Sequence, residues 1–353
     1  MSESETNQPR PLVFSHAGEH DPAKVCVIAE IGVNHDGSLE RAQTLIESAK
    51  GAGCDAVKFQ YFRPERLLSK QAELAAYQQG SAKSAEDLLG KLTLSLKELK
   101  TLREAAREAG LGLVVTPFSL EDVEELADLE LDAVKIASPD VINRPLIRRV
   151  LKLDKPVLIS TGASEGHEIS EAAEWLSDYE PGGALLQCVS SYPTPMEKAA
   201  LGGIRWLQDR HQLPIGYSDH TSETLTGALA VAAGACLLEK HLTYDTGAEG
   251  PDHAASLNPE QMRTYVSGAR EAAQALGRID KSAGPEEEDV RRLSRQSLCL
   301  TRAVSAGDRL TAADLTIKRP GEGIRPKRLK EVLGRSMRRD KGANELLVDD
   351  DLI

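Results

Sequence analysis

The chain has 353 residues and carries 43 Lys and Arg against 55 Asp and Glu, a formal net charge of −12. No basic block interrupts this acidity, which excludes nucleic acid as a partner, because that affinity rests on neutralising phosphates. No apolar run approaches the ~18 residues of a membrane helix, and Met1 to Pro9 lacks the basic start and apolar centre of a signal peptide.

Hydrophobic content is 41% with only 4% aromatic, so the core must be aliphatic and alanine-rich, as in proteins built from many strand-helix units. The length suggests one large domain and a small one. Five cysteines (Cys26, Cys54, Cys188, Cys236, Cys299) form no CxxC pair, and three lie in apolar runs. That pattern predicts reduced thiols in a cytoplasmic protein.

Residues 1–23 read as a loosely held tail with a short extended piece at Leu12–Phe14. Organisation begins with a strand at Val25–Ile31. Ser38 is placed to cap a helix reaching Ala52, with Leu39, Ala42, Leu45, Ile46 and Ala49 at helical spacing. A second strand covers Ala56–Gln60, and a long polar insertion runs from Tyr61 to about Leu92. The alternation then continues with helix 96–109, strand 113–116, helix 121–127, strand 133–137, a helix from Pro145, strand 156–160 and helix 169–177. Strand 184–189 follows, then apolar runs at 213–217 and 235–238 separated by a helical stretch, and a last helix at 259–276. Eight strand-helix alternations within residues 24–277 fit a closed parallel (β/α)8 TIM barrel better than an open sheet. No GxGxxG follows the first strand, which disfavours a dinucleotide fold. Residues 278–291 read as a charged linker. Residues 292–353 alternate short β-like runs with Gly- and Pro-containing turns, a small β-rich module.

Polar residues collect where these strands end, the rim at which a parallel barrel keeps its chemistry. Lys58 and Lys135 lie inside apolar runs (AVKF, AVKI), where an inward ammonium is costly unless it meets an anion. They could pair with Glu30 or Asp140, one could form an imine, or together they could hold a phosphate or carboxylate, with the hydroxyls of Thr116, Ser138 and Ser160 as further donors. Ser190, Tyr192 and Ser218 end later strands. His220 and His241 are 21 residues apart, the length of one strand-helix-strand unit, so they would end neighbouring strands on one rim. Such histidines serve structural hydrogen bonds as readily as metal binding. Their strand-end positions and the adjacent acids Asp219 and Glu239 point to a shared divalent ion.

The strings AEIGVNHDGS, DAVKFQYF, VVTPFS, DAVKIAS, PVLIST, QCVSSYPTP, GYSDHT and EKHLTYD…EGPDHAAS resemble, in order and spacing, the sialic acid synthase family, which makes N-acetylneuraminate, legionaminate and related acids. The tail RAVSAGDRLTAADLTIKRPGEGI…VLG is similar to that family's C-terminal SAF (antifreeze-like, β-clip) domain. The resemblance covers residues 25–353. It implies metal-dependent condensation of phosphoenolpyruvate with an N-acetylmannosamine-type aldehyde, with release of phosphate. Manganese is the expected metal, with magnesium or cobalt as alternatives.

By the same resemblance, His220 and His241 would hold the metal, and Lys58, Thr116, Lys135, Ser138, Ser160, Ser190, Tyr192 and Ser218 would surround phosphoenolpyruvate. Glu30, Asp252 and Arg319 would meet the sugar. Glu30 or Asp140 would move the proton of the attacking water, with Lys58 and Lys135 as the other catalytic groups. The implied assembly is a domain-swapped homodimer, with a lid within the same chain as the alternative. Family synthases carry Glu where Asp140 stands and an amide where Ser190 stands, which leaves the sugar open. The string EGPDH favours the neuraminate and legionaminate branches over the pseudaminate branch. The alternatives are a condensing enzyme for a phosphorylated aldose, with Arg63 and Arg66 as generic cations, and a non-catalytic carbohydrate-binding homologue.

Overall fold

Apolar strand runs and capped helices alternate along the chain. β1 (Cys26–Gly32) leads into α1 (Leu39–Ala52). Ser38 caps α1 by accepting from the Arg41 amide, and Gly53 ends it in the left-handed region at φ +85°. β2 (Ala56–Tyr61) is followed by two short helices, α2 (Pro64–Leu67) and α3 (Ala85–Gly90), then by α4 (Leu96–Ala109), which starts on a Ser95–Glu98 capping box. β3 (Gly112–Pro117), α5 (Leu120–Leu126), β4 (Ala133–Ile136) and α6 (Arg144–Val150) come next. β5 (Val157–Ser160), α7 (Gly166–Leu176), β6 (Gly183–Cys188) and α8 (Gly202–Gln208) continue the alternation. β7 (Ile215–Asp219), α9 (Thr226–Ala232), β8 (Leu237–His241) and α10 (Pro259–Leu276) complete it.

This computed structural model describes residues 25–72, 84–277 and 281–353. The N-terminal tail and the start of the expected linker lie outside the described residues. The chain divides into two units, Met1–Ile279 and Asp280–Ile353.

In the first unit all eight strands pair in parallel and in chain order, and β1 closes on β8. The TIM-barrel expectation holds. Three helices were not expected. α8 begins Gly202-Gly203, poor helix formers that hide its periodicity, and α2 and α3 are short pieces inside the polar insertion.

Strand side chains alternate between the two faces of the barrel wall. Residues such as Val27, Ala29, Val57, Phe59, Val115 and Val134 pack outward against the helices. The other parity fills the barrel interior with Cys26, Ile28, Ala56, Val114, Ala133, Leu158, Ala184, Leu186 and Leu237. Alanines at 56, 133 and 184 leave room for the larger Ile28, Leu158, Leu186 and Leu237. Each such aliphatic side chain, fully buried, contributes about 1.5–3 kcal/mol. One step further along the same parity the interior turns polar: Glu30, Lys58, Thr116, Lys135, Ser160, Ser218 and Glu239 are all buried. The floor of the barrel is therefore apolar and its mouth charged.

The first α-helix of the second unit, α11 (Glu288–Ser294), starts in the segment 278–291 expected to be a linker and runs past its end. β9 (Ser297–Leu300) and β10 (Leu315–Lys318) pair antiparallel, and α12 (Leu329–Val332) follows. Leu298, Leu300, Val304, Leu310, Ile324, Met337, Leu347 and Leu352 form its own core. Asp351, wholly buried, is held by Lys341 and Arg339 at 2.5 Å each.

Candidate active site

Lys58 is the centre of the charged layer. Its ammonium lies 3.0 Å from Glu239 Oε1 and 3.4 Å from Glu30 Oε1. Gln60 Nε2 donates to the same Glu30 oxygen at 3.0 Å, and Ser218 Oγ donates to Glu239 Oε1 at 3.0 Å. The second oxygen of each carboxylate is buried and has no partner. Two acids sharing one cation cannot be equivalent. Burial, reinforced by Glu239, pushes Glu30 above the usual carboxyl range to about 7, against the pull of Lys58 and Gln60. Burial opposes ionisation of Glu239 too, but the Lys135 and Lys58 ammoniums outweigh it and hold that carboxyl well below its usual range.

Lys135 is 2% exposed and donates to Ile136 O at 2.8 Å. Burial lowers its pKa from 10.5 to about 8, with Lys58 adding to the effect and Glu239 opposing it. Thr116 Oγ1 and Ser160 Oγ are buried without a hydrogen-bond partner. Ser138 Oγ accepts from the Gly162 amide at 3.0 Å. At Gly162 a Cβ would stand 2.3 Å from Ser190 Oγ and 2.9 Å from both Ser138 Oγ and Cys188 Sγ, so only glycine lets these groups converge. Two buried ammoniums and two unpartnered hydroxyls in one layer of the barrel have the chemistry an anion cradle needs.

The imidazoles of His220 and His241 are 5.4 Å apart between ring centroids, and the Tyr192 ring lies 4.0 Å from that of His220. His220 Nδ1 is 2.8 Å from Val189 O, a contact that puts the proton on Nδ1 and leaves Nε2 as the lone-pair nitrogen. His241 Nδ1 is buried without a hydrogen bond, 3.8 Å from Asp252 Oδ2. Burial first, then His220 and Lys58, keep the His241 imidazole neutral, the form that binds metal. Among the described residues no cluster of three or more His, Cys, Asp or Glu could hold an ion. Two imidazoles alone do not make a closed structural metal site.

The adjacent acids do not serve these histidines as expected. Asp219 has the opposite parity to His220 and pairs behind the wall with Lys240, while Glu239 belongs to Lys58. The actual neighbours, Val189 O and Asp252, come from other loops. Asp252 itself is buried, and burial raises its carboxyl pKa. Asp140 stands further out, half-buried, with Asn143 Nδ2 donating to it at 2.9 Å. Ser190 is exposed at the mouth, and Arg319 is exposed in the second unit. Sequence reasoning gave Gln60 no role and cast Glu239 only as a companion of His241. Their inward parity, shared with His241 and Lys58, was the available signal.

Known proteins resemble this chain in both units. The model of the NeuB family matches residues 45–281 and that of the SAF domain residues 295–353. N,N'-diacetyllegionaminic acid synthase of Legionella pneumophila is 36% identical over 91% of this chain and 93% of its own length. The Campylobacter jejuni protein of the same name is 36% identical over 92% and 99%. A crystal structure of N-acetylneuraminic acid synthetase from Leptospira borgpetersenii, in complex with citrate, superposes with a TM-score of 0.70 at 30% identity, covering 75% of this chain and 90% of that one. The chain belongs to the NeuB family and carries a SAF domain at its C-terminal end.

Proposed function

We propose that the chain is a nonulosonic acid synthase that condenses phosphoenolpyruvate with an N-acylated mannosamine-type aldehyde sugar and releases phosphate. The observation that carries this reading is the pair of buried ammoniums, Lys58 and Lys135, in the same charged layer as the unbonded hydroxyls of Thr116 and Ser160 and the buried histidines His220 and His241. Names of the relatives support the product class, and the two legionaminic acid synthases favour that branch.

Lys58 and Lys135 would neutralise the phosphate and carboxylate of phosphoenolpyruvate, with Thr116, Ser138 and Ser160 donating to them. C3 of the enol attacks the aldehyde carbon, whose oxygen takes up a proton and becomes a hydroxyl, leaving an oxocarbenium ion at C2. Water adds at C2 and gives its proton to a carboxylate. The tetrahedral carbon then expels phosphate by C–O cleavage, the C2 hydroxyl passing its proton to the departing phosphate as the keto group forms. Glu30, whose pKa of about 7 suits proton transfer near neutrality, is the carboxylate we favour over the outlying Asp140. A divalent ion held by His220 and His241, manganese with magnesium or cobalt as alternatives, would supply Lewis acidity at the sugar aldehyde. Asp252 would fix the sugar beside it. We take a homodimer as the working form, to be tested by sedimentation.

A phosphorylated aldose is disfavoured. Arg66 is committed to Asp122 and Glu125, and Arg63 donates to Leu94 O and to the Tyr61 hydroxyl. The test is phosphate release from phosphoenolpyruvate with manganese, offering N-acetylmannosamine or 2,4-diacetamido-6-deoxymannose, with EDTA controls. Sugar-dependent, EDTA-sensitive release supports the reading. Absence of release with either sugar refutes it.

A further inference from the structure

Asp219 and Lys240 form an ion pair that no step of this chemistry uses. Lys240 Nζ lies 3.2 Å from Asp219 Oδ1, and both side chains are wholly inaccessible. The two residues face each other across the β7–β8 ladder, and each immediately precedes one of the histidines. Alternation therefore turns the pair toward the helix layer, where Lys240 Nζ is 5.5 Å from the Tyr265 ring of α10, and turns His220 and His241 to the mouth.

The pair also ties down the chain on the far side of His220. Lys240 Nζ donates to Thr221 O and, at 3.3 Å, to Thr221 Oγ1. Asp219 Oδ1 accepts from the Thr221 amide at 2.8 Å, and Asp219 Oδ2 from Thr226 Oγ1, at the start of α9, at 2.5 Å. The β7–β8 pairing ends at Asp219 and Lys240, so this is the last cross-strand tie before the two imidazoles.

A dry ion pair is a weak source of stability, since apolar residues of similar volume often replace one without loss. Its value here is geometric. We propose that Asp219–Lys240 is a positioning pair that locks the ends of β7 and β8 against each other and so sets the separation of His220 and His241 for a divalent ion. The inference rests on reading those histidines as a metal site.

The test is a manganese titration of metal-free protein by calorimetry, without substrates, on wild type, the double variant Asp219→Asn/Lys240→Met, and Thr226→Val. Melting temperature and near-UV circular dichroism report folding. The thermal shift given by phosphoenolpyruvate in EDTA reports the anion cradle. We expect the double variant to fold, to keep that thermal shift, and to bind manganese about 10- to 100-fold more weakly, the usual effect of losing a support behind a metal ligand. Thr226→Val should weaken manganese binding in the same direction by a smaller factor, and it decides the matter if the double variant does not fold. Folded variants that bind manganese as tightly as wild type overturn the proposal. So does parallel loss of manganese and phosphoenolpyruvate binding, which would mark a general structural role. Wild type that takes up no manganese refutes the metal reading itself.

Discussion

Lys135→Met should make the protein more stable and useless as a synthase. The lysine is 2% exposed, and burial lowers its pKa from 10.5 to about 8. At 1.36 kcal/mol per pH unit this is a cost of about 3 kcal/mol for keeping the ammonium charged inside the barrel. Methionine has similar length and no charge, so its barrel is spared that cost. The sign follows from proton binding. Between pH 8 and 10.5 the unfolded chain holds the proton more tightly than the folded one, so wild-type stability gains with pH across that window. The advantage of Lys135→Met is then fully present below about pH 8 and disappears above about 10.5. Thermal melts of both proteins from pH 7 upward would read it as roughly 5–10 °C at neutral pH, shrinking as the medium becomes alkaline. Phosphoenolpyruvate should raise the melting temperature of wild type only. A variant no more stable than wild type at pH 7, or an advantage independent of pH, would refute the reasoning, because it would mean that attraction to Glu239 outweighs burial.

His220→Ala and His241→Ala should each abolish manganese-dependent phosphate release while leaving the melting temperature in EDTA within a few degrees of wild type; near-normal turnover in both would remove the metal assignment. Glu30, raised to about 7, should give a rate that climbs as pH rises through neutrality, and Glu30→Gln should flatten that limb and lower the rate by about 10²–10⁴. The same raised pKa means that the folded state binds the extra proton between pH 4.5 and 7, so stability falls across that window in wild type and not in Glu30→Gln. Gly162→Ala should cost about 1–3 kcal/mol by overpacking and raise KM for phosphoenolpyruvate, with partial recovery in Gly162→Ala/Ser190→Ala, because the Ser190 hydroxyl is the nearest clash at 2.3 Å.

Much of this protein is legible along the chain because the relevant physics is local. Helix α1 could be read from Ser38 to Ala52 and α10 from Pro259 to Leu276, since caps and a 3.6-residue period act within a few residues. The count of strand-helix alternations was enough for a closed barrel, and AVKF and AVKI marked two lysines whose burial called for an anion. α8 escaped because its helical signal is weak and only packing against β6 and β7 holds it.

Tertiary structure alone decided which groups are partners. Asp219 and Glu239 stand next to the histidines in sequence, yet parity sends one behind the barrel wall and gives the other to Lys58. Glu30 and Glu239 carry the same functional group, and only their unequal surroundings push one carboxyl up and hold the other down. Sequence determines which faces of each strand are apolar, because that period is written in neighbouring residues. Barrel closure, which sets β1 beside β8, brings Glu30, Lys58 and Glu239 together, and the energy of a buried charge depends on those neighbours.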